Sequence, residues 1–326
     1  MARSKKTLKR YCIGIVTKGR PDLTEKTLLS LYFSDQPKSD YDIIIIDNKS
    51  SDDDVRELKN FVNSKMLPIK NAYFLGEEVP ISVAWNLFLF CAQDYEYRTK
   101  IDNDMVMLKT IAFSSAKKTS INTPSPAEAD PLAGAPRSAS IVGGVNSPSS
   151  PIRSHNASYM NKTKKINDIS SRFLNHLTGF MTELNVDVAA FVPVAPRQTF
   201  ISIYESCIKR RIQNKPYLSG GVMQISKKAF DTIGYFDERL SRRIDIEYSQ
   251  RAIQNGLNIG YHPLYWAVHM GNNNNTDTKD VYDRNFAIAT QITERDPIKK
   301  YASSKWDKLY KKLTKASLKN LIINVY

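Results

Sequence analysis

The chain has 326 residues, 47 of them Lys or Arg and 33 Asp or Glu, which gives a formal net charge of +14 at pH 7. Its length allows one large α/β domain or two small ones, and its longest aliphatic run, residues 43–46, is far shorter than the ~20 residues of a membrane span. The N-terminus is basic but has no apolar stretch, so we expect no signal peptide. Three cysteines without paired spacing argue against a disulfide framework and a zinc site, and we therefore expect a reducing, cytoplasmic compartment.

The positive charge is concentrated at the two ends of the chain. Residues 1–30 hold eight basic and two acidic residues, and residues 295–326 hold nine and two, so the remainder is nearly neutral. Basic ends suit an anionic partner such as a membrane surface or a nucleic acid. Lysine-rich ends also serve solubility alone, and the sequence leaves both explanations open.

The N-terminal third of the chain alternates between strand and helix patterns. We predict strands over 11–16, 41–46, 72–75 and 97–101, and helices over 23–33, 53–64 and 80–93. Asp22 is predicted to cap the first helix. The alternation predicts βαβ units and a parallel sheet, in which ligands bind beyond the carboxyl ends of the strands. Thr17, Asp47 and Asp102 all lie at those ends.

Two carboxylates lie two residues apart where the fourth predicted strand ends. Alternate residues at a strand end point the same way, so Asp102 and Asp104 can reach one ligand together. Their hard oxygen atoms suit Mg²⁺ or Mn²⁺, ions that bridge protein carboxylates to substrate phosphates. An Asp-Asn-Asp triplet is also a common turn or helix cap, so this spacing alone leaves the metal site open.

The middle of the chain is less regular. We predict surface loops over 114–137 and 147–165, with a strand over 141–145 between them. A helix over 173–184 and a strand over 186–194 follow, and residues 197–215 are locally basic. No internal repeat is visible.

Three features of the C-terminal half can bring further polar groups to the same site. Gly220-Gly221 precedes an apolar strand, where glycine permits either a tight turn or a close approach of the backbone to a ligand. A helix over 245–254 begins with Asp245 and Glu247, acidic residues that also serve simply as partners of the helix dipole. His269 ends the last predicted strand and is a candidate ligand, although a single histidine is often structural.

Taken in order, these motifs resemble those of family 2 glycosyltransferases, which have the GT-A nucleotide-sugar transferase fold. The matching elements are residues 13–17, 45–50, 83–86, 102–104, 219–221, 234–238, 245–247 with Arg251, and His269. Each is common alone, but eight in family order span residues 11–271, most of the chain. The resemblance therefore implies a fold and a reaction together.

The resemblance implies a role for each matched residue. The nucleotide-sugar would contact Thr17, Lys18, Arg20, Asp47, Asn48, Ser50, Asn86, Asp102, Asn103, Gly220 and Gly221. Asn86 would support the nucleotide pocket, although its helix position also permits a merely structural role. A divalent ion, Mn²⁺ or Mg²⁺, would be bound by Asp104, Asp102 and His269. Asp245 matches the carboxylate that deprotonates the acceptor hydroxyl, and Glu247 is the alternative base because the family's acidic pair reads Ile244-Asp245 here.

The expected architecture is an α/β GT-A domain over residues 1–295, with a mixed, mostly parallel sheet flanked by helices, and a basic amphipathic C-terminal helix over 296–326. The resemblance implies metal-dependent, inverting transfer from a nucleoside-diphosphate sugar, for which we expect a uridine-linked donor, to a hydroxyl of a glycan or lipid-linked acceptor. The choice of sugar and acceptor would lie in the loops over 114–165 and 195–217, whose composition carries no readable code for either. The basic ends keep open a nucleic-acid acceptor such as a modified base of viral DNA, a peripheral membrane contact, and an oligomer. A non-catalytic protein that binds sugar nucleotides is the remaining alternative.

Overall fold

Strands and helices alternate along the N-terminal third, as the sequence predicts. In chain order the elements are β1 Tyr11–Thr17, α1 Pro21–Tyr32, β2 Tyr41–Asp47, α2 Asp52–Asn63, β3 Ile69–Leu75, α3 Ile81–Cys91 and β4 Tyr97–Asp102. The computed structural model describes residues 10–107, 172–194, 217–271, 296–298 and 322–325. The predicted loops and strand between 114 and 165, and the basic segment 197–215, lie outside these residues.

The later elements complete the same sheet. They are β5 Met105–Met107, α4 Phe173–Glu183, β6 Val188–Val194, β7 Val222–Ser226, α5 Lys227–Ile233, α6 Ile244–Gln254, β8 Ile259–His269 and β9 Ile322–Val325. The short strand β5 was not predicted. Within the described ranges, no helix is both long and apolar enough to cross a bilayer.

The starts of the first two helices illustrate two kinds of cap. Helix α2 begins where the Ser51 hydroxyl accepts a hydrogen bond from the Asp54 amide at 3.2 Å. Helix α1 begins at Pro21, whose fixed φ and missing N–H suit the first helical position. Its cap residue is Arg20, in the left-handed region with φ 55°, and Asp22 lies in the first turn. The prediction that Asp22 caps this helix was therefore wrong.

The sheet is mixed, with strand order β5-β8-β6-β7-β4-β1-β2-β3-β9 among the described residues. Strands β1 to β4 are parallel, as are β3 with β9 and β6 with β8. Strand β7 runs antiparallel to both β4 and β6, and β5 runs antiparallel to β8. Because of these reversals, the residues before β7 meet the carboxyl end of β4 at one edge of the sheet.

The main apolar core lies against one face of the sheet. Side chains from α3, α5 and α6, such as Phe88, Phe230 and Tyr248, form one buried cluster with strand residues such as Cys12 and Ile44. Burial of this kind is the main source of the stability of such a domain. It also fixes α3, which carries Trp85, and α6, which carries Asp245, and both residues line the cavity described below.

Two described pieces of the C-terminal segment belong to the domain. Ile298 exchanges backbone hydrogen bonds with Ile233 and Tyr235, both at 2.9 Å, and residues 322–325 add strand β9 beside β3. The basic helix predicted over 296–326 therefore does not extend to residues 322–325. The rest of that helix lies outside the described residues, and the domain boundary at 295 stays a prediction.

Candidate active site

A cavity of about 430 Å³ opens at the carboxyl edge of the sheet, where the two halves of the chain meet. Its volume is within the usual range for small-molecule sites. The lining combines charged, small and apolar side chains: Ile81, Trp85, Lys100, Asp102, Met105, Pro193, Ser219, Gly220, Gly221, Ser241, Arg242, Arg243, Ile244, Asp245, Ile246 and His269. The motifs around Asp102, Gly220-Gly221, Asp245 and His269 therefore meet in space, as the sequence predicts.

The glycine pair brings Asp245 close to the end of β4. The Asp102 amide donates to the Gly221 carbonyl at 2.9 Å, and the Gly220 amide donates to Asp245 Oδ2 at 2.6 Å. A Cβ atom on residue 220 would lie only 2.6 Å from the Asp245 Cβ, so a larger residue cannot occupy this position without displacing the carboxylate. Gly220 is thus required for close approach between backbone and side chain.

Asp104 and His269 form a polar pair beside the cavity. Pairing of β5 with β8 places Met105 opposite His269, and the Met270 amide donates to the Asp104 carbonyl at 2.8 Å. His269 Nε2 lies 3.3 Å from Asp104 Oδ2, and Arg20 Nη1 lies 3.3 Å from the same oxygen. A Cβ atom on Gly271 would overlap this carboxylate.

The pKa values of the pair move in opposite directions. Burial alone would raise the pKa of Asp104, but the hydrogen bond from His269 and the charges of His269 and Arg20 outweigh it and hold that pKa below its usual range. The hydrogen bond to Asp104 raises the pKa of His269 despite its partial burial. His269 and Arg20 therefore favour the ionised form of the Asp104 carboxylate.

These two residues fit a divalent ion. A carboxylate oxygen and an imidazole nitrogen that lie 3.3 Å apart are two donors that one divalent ion could share. Among the described residues, no three His, Cys, Asp or Glu side chains come together at metal-binding distance. The predicted ligand set of Asp104, Asp102 and His269 is corrected on this point. Asp102 instead contacts the ammonium group of Lys100.

Metal binding should depend on pH through His269. Since a metal binds the neutral imidazole, and Asp104 raises the pKa of His269, we expect Mn²⁺ affinity to rise by about tenfold per pH unit below that pKa and then to level off. Titrating the protein with Mn²⁺ by electron paramagnetic resonance between about pH 5.5 and pH 8.5 measures this. His269→Gln should flatten the profile. A flat profile in the unaltered protein would remove His269 from the ligands.

The first two loops are joined by hydrogen bonds of their own. The Asp47 carboxylate accepts from the Ser50 amide at 3.0 Å and from the Ser50 hydroxyl, whose oxygen accepts from the Gly19 amide at 2.7 Å. Burial raises the pKa of Asp47, although the bonds from Ser50 oppose that shift. Asp47 is 1% exposed and holds the loop in this structure, and its contact with a nucleotide base stays a prediction. Lys18 is exposed and pairs with Glu78 at 2.6 Å.

Asn103 connects the acidic turn to helix α1. Its amide nitrogen donates to the hydroxyls of Thr17 and Thr24 at 3.1 and 3.2 Å, and its amide oxygen accepts from Arg20 Nη2 at 3.1 Å. The Thr27 hydroxyl donates to its carbonyl at 2.9 Å. Thr17 and Asn103 were predicted to contact the nucleotide-sugar. The structure places both in a buried network that orients Arg20 and Asp104.

Two further asparagines have structural partners instead of facing the cavity. The Asn48 side chain donates to the Val79 carbonyl at 2.8 Å and accepts from the Val79 amide at 2.9 Å. Asn86 does the same with Phe236, at 3.0 and 2.8 Å. Both amides are buried and satisfied by backbone groups, so the predicted contact of Asn48 with the nucleotide is corrected, and Asn86 has the structural role that its helix position permitted.

Glu247 is directed into the protein and does not line the cavity. Its two carboxylate oxygens pair with Arg251 at 2.8 and 2.9 Å, and the two side chains are 3% and 1% exposed. Arg251 also donates to the carbonyls of Ile233 and Tyr235 at 2.6 and 2.7 Å. The prediction of Glu247 as an alternative base was wrong, because the carboxylate is buried, paired with Arg251 and outside the cavity lining. Asp245 lines the cavity and remains the candidate base.

Lys100 and Gly271 are among the residues of the site that were not predicted. Lys100 lies under the cavity with its ammonium group near Asp102, and Gly271 leaves the space that the Asp104 carboxylate occupies. Lys100 stands two residues before Asp102 on the same face of β4, a spacing that alone could have suggested a contact. No feature of the sequence near Gly271 indicates that the Asp104 carboxylate lies against it.

Comparison with known proteins shows the fold. No protein family and no curated protein matches the sequence. Solved structures do match. The mannosyltransferase PcManGT from Pyrobaculum calidifontis, in complex with GDP-Man and Mn²⁺, is 15% identical with a TM-score of 0.54, over 90% of this chain and 68% of that one. Residues 1–349 of S. aureus TarS, in complex with UDP-GlcNAc, are 16% identical with a TM-score of 0.50, over 86% and 66%.

A third structure, GalNAc-T7 with UDP, GalNAc and Mn²⁺, is 11% identical with a TM-score of 0.52, over 88% of this chain and 49% of that one. This chain therefore spans between about half and two thirds of the lengths of these proteins. At such identities the likeness shows the fold, and the chain has the GT-A fold that the sequence predicts.

Proposed function

We propose that the protein is a metal-dependent glycosyltransferase that uses a nucleoside-diphosphate sugar, with a uridine-linked donor expected. One observation carries the proposal: Asp102, Asp245 and His269, from distant parts of the chain, line one cavity, and His269 contacts Asp104 beside it. The three compared structures are glycosyltransferases or contain nucleotides or nucleotide-sugars, and two contain Mn²⁺. A protein with only a structural role has no need of a carboxylate held at such an opening.

The proposed chemistry is a single displacement. Asp245 takes the proton of an acceptor hydroxyl, whose oxygen bonds to the anomeric carbon while the bond from that carbon to the diphosphate oxygen breaks. Attack from the side opposite the leaving group inverts the anomeric centre. Asp104 and His269 would hold the metal, which supplies positive charge next to the departing diphosphate. We propose a hydroxyl of a glycan or lipid-linked molecule as the acceptor.

Thermal unfolding with UDP, GDP and dTDP, each with and without Mn²⁺, tests the donor half of this proposal. A nucleotide at about 100 times its dissociation constant adds about 2.7 kcal/mol to the free energy of unfolding, enough to raise the midpoint by several degrees. We expect the rise to require both UDP and Mn²⁺ and to be lost in Asp104→Ala. If no nucleotide shifts the midpoint with metal present, the proposal fails.

A further inference from the structure

Lys100 is a buried cation that touches both halves of the site. Its side chain is 4% exposed and lines the cavity. The ammonium group contacts Asp102 Oδ1, donates to the Gly220 carbonyl at 2.6 Å, and lies 4.6 Å from the centroid of the Trp85 ring. A buried ammonium is costly unless it has such partners, so these contacts hold the end of β4 and the glycine pair at a fixed separation.

The contact chain continues to the proposed base. The Gly220 carbonyl accepts a hydrogen bond from the Lys100 ammonium group, and the Gly220 amide donates one to Asp245 Oδ2 at 2.6 Å. The same residue therefore carries both bonds, and a rotation of its backbone would disturb both. Asp102 and Asp245 are thereby connected through one lysine and one glycine.

We propose that Lys100 is a positioning residue that sets the place of Asp245 relative to the carboxylates at the end of β4. The proposal rests on the proposed function, since it concerns the distance between the acceptor base and the donor half of the site. Rate depends steeply on this distance, because a misplacement of ~1 Å can cost about 100-fold. The same ammonium group also neutralises the charge of Asp102, which is a structural effect. The test must separate this effect from the positioning of Asp245.

A pair of variants makes that separation. Lys100→Met leaves the Asp102 charge without its cation and should lower the unfolding midpoint. Adding Asp102→Asn removes that charge and should restore most of the midpoint, since deleting both partners costs far less than deleting one. Compared with Asp102→Asn alone, we expect the double variant to have a kcat lower by about 10- to 100-fold and a donor KM within about threefold.

The assay is release of nucleoside diphosphate from UDP-GlcNAc and GDP-mannose with Mn²⁺ and water as acceptor. Lys70→Met is the matched control, because Lys70 also lies near an aromatic ring, 5.0 Å from the centroid of Tyr95, but is exposed on β3. It should leave kcat and KM unchanged. If the double variant has the kcat of Asp102→Asn alone, Lys100 only neutralises Asp102 and the inference is overturned.

A crystal structure of Lys100→Met decides the point without any activity. We expect the Gly220 carbonyl to turn away from its present direction and the bond from the Gly220 amide to Asp245 to lengthen beyond about 3.5 Å. An unmoved Asp245 would overturn the inference. If no nucleotide with Mn²⁺ shifts the unfolding midpoint of the unaltered protein, the proposed function fails on its own, while the position of Asp245 in this variant still decides the role of Lys100.

Discussion

Asp245→Asn is expected to lower turnover by about 10²–10⁴-fold while the affinity for UDP with Mn²⁺ changes by less than about threefold. The substitution preserves shape, and the amide oxygen of asparagine can still accept the hydrogen bond that the Gly220 amide gives at 2.6 Å. An amide cannot take the proton of an acceptor hydroxyl at neutral pH. Turnover followed by diphosphate release, with binding measured by calorimetry, separates the two effects.

The outcome also separates an enzyme from a binding protein. Asp231→Asn is the matched control, because Asp231 is an exposed carboxylate on α5 that pairs with Lys227 at 2.9 Å, remote from the cavity lining. It should behave as the unaltered protein does. Unchanged turnover in Asp245→Asn would remove this residue from the mechanism, and UDP binding without any turnover in the unaltered protein would favour a non-catalytic sugar-nucleotide-binding protein.

The sequence predicted most of the helices and strands, and the edge of the sheet where the site lies, because both depend on local patterns. Alternating strands and helices imply a parallel sheet, and a parallel sheet brings its carboxyl ends to one edge, so Thr17, Asp47 and Asp102 had to lie near one another. Sequence patterning also located His269 at a strand end. What it missed are contacts between residues far apart in the chain.

The asparagines show the limit most clearly. Asn86 lies in a motif, but its partner Phe236 is 150 residues away, and nothing near either residue indicates that the two backbone bonds satisfy the amide. Glu247 has a partner at helical spacing, Arg251, which was visible in the sequence. Whether that pair faces solvent or the interior depends on how α6 packs. The burial of the pair in turn decides whether Glu247 can act as a base or only as the structural partner of Arg251.

Glu247→Ala is expected to lower the free energy of unfolding by about 3–5 kcal/mol, because it leaves the Arg251 guanidinium buried without its counter-charge. Urea unfolding at pH 7 measures the loss. The exposed pair Lys227 and Asp231 has the same four-residue spacing on α5, so Asp231→Ala is a matched control that should cost less than about 1 kcal/mol. An equal, small effect of the two substitutions would contradict the buried ion pair.

Turnover per folded molecule distinguishes this structural role from catalysis. With the unfolded fraction corrected for, Glu247→Ala should retain turnover within about tenfold, whereas loss of a catalytic base costs about 10²–10⁴-fold. Replacing both partners, in Glu247→Leu with Arg251→Met, should recover only part of the stability. Arg251 also donates to the carbonyls of Ile233 and Tyr235, and those two buried acceptors would then lose their donor. The ion pair therefore stabilises the packing of α6 against the segment after α5, the packing that also places Asp245 at the cavity.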